Sequence, residues 1–161
     1  MLTVLQQQLG DVHGLGMAAA ETVERVETRL LDSELRRRLD VLRRDAAQIR
    51  ARCLDAERSY GPELASEILA RANTVGEQAS DLAAAWFKAG TGPIAAWSFL
   101  AMGEAGELSS WTALASLAGR EDELVELAAW GVDVQRKHLE LVLDGSARVA
   151  ELFEPAGPRW G

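Results

Sequence analysis

A chain of 161 residues carrying a formal charge of −8 has the size of one ordinary domain, long enough to bury a core without disulfide or metal staples. Hydrophobic residues make up 48% of it and charged residues 26%, with only four prolines and few β-branched residues, which favours helix and excludes a sheet protein. The negative charge excludes nucleic acid and anionic membrane surfaces as main partners, because both would be repelled at long range.

The first helix runs from Leu2 to about Leu31, where Leu2, Leu5, Leu9, Val12, Gly16, Ala19, Val23, Val26 and Leu30 alternate at spacings of three and four. Asp32 and Ser33 offer capping chemistry, and Leu35, Leu39, Leu42, Ala46, Ile49 and Cys53 continue the spacing in a second helix to about Arg58, the two forming an αα-hairpin. The second helix holds Arg36, Arg37, Arg38, Arg43, Arg44, Arg50, Arg52 and Arg58, read as a solvated face that pairs with acidic neighbours rather than as a docking surface. Gly61 and Pro62 break the chain, and a looser pattern over Leu64, Ile68, Val75, Ala79, Leu82 and Trp86 predicts a third helix to about Ala89. Asn73, Thr74 and Gly76 weaken its middle and predict a kink or a split there.

Gly90 to Pro93 is a turn that starts the fourth helix, whose seam is Trp97, Ala101, Glu104, Leu108, Trp111, Ala115 and Ala118, with Gly119 as its stop. No Lys-Ser or Lys-Thr follows that turn, so it is no phosphate cradle. The fifth helix starts near Glu121, with seam residues Leu124, Leu127, Gly131, Val134, His138, Leu141 and Gly145. Residues 1–153 are expected to form a single helical-bundle domain, and 154–161 an irregular tail in which Trp160 is either a docked anchor or a loose end. One cysteine, Cys53, excludes an internal disulfide and is read as a small core residue rather than a nucleophile. Met1 to Gly10 lacks a signal-peptide pattern, and no stretch approaches the ~20 apolar residues of a membrane span. The expectation is a cytoplasmic protein.

Glu104 and His138 are the two polar residues on otherwise apolar seams, and burial of either alone is costly, so each needs a partner. If successive helices reverse direction, the first, second, fourth and fifth run up, down, down, up, and the third supplies the return, as in a bundle with one long crossover. At this point the chain resembles the ferritin-like superfamily. Met102-Gly103-Glu104-Ala105-Gly106-Glu107-Leu108 looks like its inward glutamate helix, and Asp133-Val134-Gln135-Arg136-Lys137-His138-Leu139-Glu140 looks like the helix carrying Glu-x-x-His. The resemblance implies a di-iron or di-manganese centre, in which Glu104 matches a carboxylate ligand, His138 the histidine, and Gln135 stands where a glutamate is expected. Opposite them, Gly16, Ala19, Ala46 and Ile49 offer no ligands, and His13 and Glu21 lie only beside the seam, with His13 expected at the surface or half-buried.

Three readings follow. In the first, the di-metal centre is largely lost, Glu104 and His138 form a remnant buried hydrogen bond, and the protein is a non-catalytic binding or assembly protein. In the second, Glu104, His138 and Glu107 or Gln135 hold iron, manganese or zinc in a redox enzyme or metal-storage protein. In the third, Trp97, Trp111 and Trp130 line a core pocket for an apolar or tetrapyrrole-like ligand, with Glu104 and His138 as its polar groups. The competing explanation for those tryptophans is packing against the small residues Gly14, Gly16, Met17, Ala18, Ala19 and Ala20 of the first helix. A second apolar edge on the third helix is expected to support a homodimer or another protein partner.

Overall fold

The computed structural model describes residues 1–119 and 122–153, with the Asp122 side chain left aside. Helix accounts for 87% of the described residues, and no strand occurs among them. The five helices are α1 (Val4–Glu27), α2 (Ser33–Arg58), α3 (Pro62–Trp86), α4 (Pro93–Leu117) and α5 (Asp122–Phe153). None is long and apolar enough to cross a membrane. The expected tail, including Trp160, lies outside the described residues.

Local chemistry sets the ends. Thr3 caps α1 through a reciprocal box with Gln6, which moves the start inward from Leu2. The helix stops at Glu27, short of Leu31, because Leu30 turns into the core and is fully buried from a non-helical segment. Asp32 caps α2 by accepting from the Glu34 and Leu35 amides, and its second oxygen accepts from Arg148 of α5 at 2.8 Å. Pro62 and Pro93 each open a helix, and Gly119, at φ 62°, follows the end of α4 in the left-handed conformation glycine tolerates.

The expected kink in α3 is absent: the helix runs unbroken through Asn73, Thr74 and Gly76. Its weak middle is held from outside, where α3 lies along α1 so closely that a Cβ on Gly14 would stand 2.4 Å from the Ala72 carbonyl oxygen. The bonds of Asp11 to Arg71 and Glu21 to Ser80 show that α1 and α3 run parallel. Helix α1 also packs on α2 and α4, and α5 packs on α2 and α4. Helices α4 and α5 are antiparallel, with Trp97 near Val142 at one end and Trp111 against Gly131 at the other.

Large residues do meet small ones, but the glycines that receive Trp97 and Trp111 are Gly145 and Gly131 of α5, not the small residues of α1. A Cβ at Gly131 would lie 2.1 Å from the Trp111 ring, and one at Gly145 would lie 2.3 Å from the Trp97 ring. On α1, Gly14 instead admits α3, and Gly16 admits Ile49. Arginines of α2 pair with acidic neighbours, Arg38 with Glu34, Arg43 with Glu27 and Asp40, and Arg58 with Asp55. The apolar interior falls into two clusters, one around Val26, Leu39, Trp97 and Val142, the other around Leu9, Ile49, Trp111 and Leu127. Between them lies a polar layer.

Candidate functional site

Glu104 and Glu107 stand one turn apart on the buried side of α4, and Gln135 and His138 do the same on α5. Because the two helices are antiparallel, the pairs meet in reverse order. His138 Nδ1 lies 3.2 Å from Glu104 Oε2, and Gln135 Nε2 donates to Glu107 Oε2 at 2.8 Å. A third carboxylate joins from α2, with Asp45 Oδ2 at 2.9 Å from His138 Nε2. The seam pattern did not point to it: Asp45 is a flanking residue, next to the seam residue Ala46, and is partly exposed.

With a carboxylate oxygen at each ring nitrogen, the arrangement is that of an imidazolium donating twice. Burial alone would push the His138 imidazolium down, but the hydrogen bonds and charges of Glu104 and then Asp45 more than offset it, so its pKa is raised. Glu107 behaves differently. Burial, reinforced by the negative charge of Glu104, pushes its carboxyl well above the usual carboxylate range, and the hydrogen bond from Gln135 only partly opposes this. Asp45, Glu104 and His138 together carry one net negative charge, with Glu107 set beside them.

All four residues expected to hold a metal, Glu104, Glu107, Gln135 and His138, are therefore buried together, but they are turned toward one another. A doubly donating imidazolium has no lone pair for a metal ion. Gly16, Ala19, Ala46 and Ile49 add no donor from α1 and α2. Among the described residues no group of three or more His, Cys, Asp or Glu side chains has the disposition to hold a metal. The donor set does not fit an iron, manganese or zinc centre in this geometry.

The three tryptophans do not share a pocket. Trp97 belongs to one apolar cluster and donates to the Val142 carbonyl at 2.8 Å, while Trp111 belongs to the other and meets Trp130 edge-on at 6.3 Å. Trp130 is covered by the Arg52 guanidinium, 4.2 Å above its ring. The cavity that does reach the polar layer lies elsewhere, in a trough above α1 between α3 and α4. Those two helices meet near one end, where Trp86 donates to the Ala95 carbonyl and packs on Phe99. The trough that remains has a volume of about 340 Å³ and is lined by Leu15, Ala19, Leu82 and Met102, with Glu104 and Glu107 on its wall.

A second buried polar pair corrects the expectation for His13. This histidine is 4% exposed rather than superficial, and its Nδ1 lies 2.6 Å from Oε1 of Glu57, which is fully buried. Glu57 Oε2 is buried without a partner among the described residues. The signal was present, since Glu57 extends the four-residue step of Ile49 and Cys53 along the α2 seam. Beside it, burial pushes the Cys53 thiol far up, and the Glu57 charge adds to the shift. Glu21, expected beside the seam, is held low by Ser80 and then Arg25 and faces neither pair.

Comparison of the chain with protein-family models, with curated proteins and with solved structures returns no match.

Proposed function

We propose that the chain is a ferritin-like bundle, with α1, α2, α4 and α5 running up, down, down and up and α3 as the crossover, and that it acts by binding, without catalysis. In this reading the di-metal centre of such bundles is replaced by a polar layer whose side chains bond to one another. The observation that carries it is the double engagement of His138 by Glu104 and Asp45, beside α1 and α2 positions that are Gly, Ala or Ile. Protein purified from iron- and manganese-supplemented medium should hold little metal, and Glu104→Ala or His138→Ala should not change that content. More than about half a metal per chain, lost in either variant, would restore the redox-enzyme or metal-storage reading.

The trough between α3 and α4 favours a ligand as the thing bound. Its size is at the small end of ligand sites, suited to a compact molecule rather than a tetrapyrrole. Assembly through α3, where Leu82 and Trp86 remain exposed, belongs to the same reading. Light scattering that returns a monomer across working concentrations removes the homodimer.

A further inference from the structure

We infer that the trough above α1 binds a compact organic cation, an alkyl or aralkyl ammonium, with its apolar body against Leu15, Ala19, Leu82 and Met102 and its nitrogen at Glu107. The inference rests on the binding reading above and names its ligand class.

Three observations carry it. The first is composition: the cavity wall contains no lysine, arginine or histidine, so nothing in it would neutralise an anionic ligand or compete for the carboxylates. The second is the oxygen row on α4. Glu104, Glu107 and Ser110 all line the cavity at successive steps of three, so oxygen-bearing side chains stand along one wall, with Glu107 in the middle as the acceptor for an ammonium group. Both carboxylates are more than nine-tenths buried, and in each the hydrogen bond within the layer uses Oε2, so Oε1 is the oxygen left for a ligand.

The third is charge. Facing Glu107 are Glu104 on its own helix and, beyond it, His138 of α5 and Asp45 of α2, while α1 and α3 present no titratable side chain to the cavity. Asp45 and Glu104 already outnumber His138. Glu107 is thus the one carboxyl of the layer without a cation, and its proton is favoured by burial and by Glu104. An arriving ammonium supplies the missing positive charge. Any proton that Glu107 carries passes to solvent, and the product is a carboxylate paired with the bound cation, with charge and protons balanced.

Isothermal titration calorimetry of the full chain with hexylammonium, hexan-1-ol and hexanoate tests this. Hexylammonium is expected to bind at least about tenfold more tightly than hexanol, with hexanoate weakest. The measured enthalpy should change with the ionisation enthalpy of the buffer in the sense of proton release. Glu107→Gln, which keeps an oxygen for Gln135, should cost hexylammonium about tenfold in affinity, leave hexanol unchanged and abolish the buffer dependence. Ala19→Leu, which fills the trough, should weaken both ligands. Hexanol binding as well as hexylammonium, no hexylammonium binding at all, or binding indifferent to both substitutions would each overturn the inference. Metal content is read on protein without added amine, so the two tests fail independently.

Discussion

Replacing His138 by Leu is expected to destabilise the protein by about 3–5 kcal/mol, because it removes the one cation from a layer in which Glu104 is only 3% exposed. The geometry divides the effect unequally among the partners. Glu104→Leu alone should cost about 1–3 kcal/mol, since Asp45 still faces the imidazolium. The double substitution removes both deeply buried ions and leaves Asp45, which is about a third exposed, free to hydrate; it should cost no more than about 2 kcal/mol. The double variant therefore falls short of the summed single losses by at least about 2 kcal/mol. The pH dependence has a defined sign. A histidine whose folded pKa is raised contributes stability that is complete below its unfolded pKa of about 6.5 and is lost as pH rises through the folded value. The gap between the parent and His138→Leu should then narrow as pH rises above about 6.5. Urea unfolding followed by far-UV circular dichroism, repeated across this range, measures both effects. Additive single losses, a His138→Leu cost below about 1 kcal/mol, or a gap that widens with pH would refute the reasoning.

Glu107 has the same sign of linkage by a different cause: its raised folded pKa means that stability is lost as pH rises from the unfolded value of about 4.3 through the folded one. Glu107→Gln removes that loss, so the variant should gain on the parent between pH 5 and pH 8, and an equal difference at both pH values contradicts it. Gly131→Ala would place a Cβ 2.1 Å from the Trp111 ring and should destabilise by about 1–3 kcal/mol despite the better helix propensity of alanine. Gly103→Ala, whose Cβ meets open space, should instead stabilise by about 0.5–1 kcal/mol; thermal unfolding of the two variants in parallel checks the close α4–α5 contact, and equal effects would contradict it. The buried Cys53 thiol, held protonated by burial, should resist alkylation until the protein unfolds, and rapid stoichiometric labelling under native conditions would contradict its core position.

Helix number and order are legible because the three-and-four spacing of mainly apolar residues persists from Leu2 to Leu30, Leu35 to Cys53, Trp97 to Ala118 and Leu124 to Gly145. The ends are less so. Leu30 fits the seam of α1 and is buried as the pattern requires, yet it is not helical, since a periodic position records burial and not backbone conformation. In α3 backbone conformation is set from outside the helix. Gly76 reads as a weak point for an isolated helix, but the close approach of α1 needs a residue without a side chain, and tertiary contact outweighs a propensity cost of about 1 kcal/mol.

The site was legible only where polarity interrupted a seam. Glu104 and His138 stood out because their neighbours are apolar, and they are paired in the structure. Asp45 gave no such contrast: on the arginine-rich α2 a carboxylate beside the seam looks like any surface charge, and only the approach of α5 brings it to His138. The cavity was invisible for a further reason. It is formed by what α3 and α4 fail to fill, and periodicity assigns each helix an inward face without saying where two helices leave a gap. Both histidines of the chain are buried against a glutamate of the neighbouring helix, His13 on Glu57 within α1–α2 and His138 on Glu104 within α4–α5. Asp45 and Asp32 then tie α2 to α5 through His138 and Arg148. These contacts fix the register of the two helix pairs and account for nearly every buried charge near the layer. They leave Glu107, a carboxyl with no cation beside it, on the wall of the trough. Fold stability alone does not select a glutamate there, since Gln would keep an acceptor for Gln135 without a buried ionisable group; a positively charged ligand does.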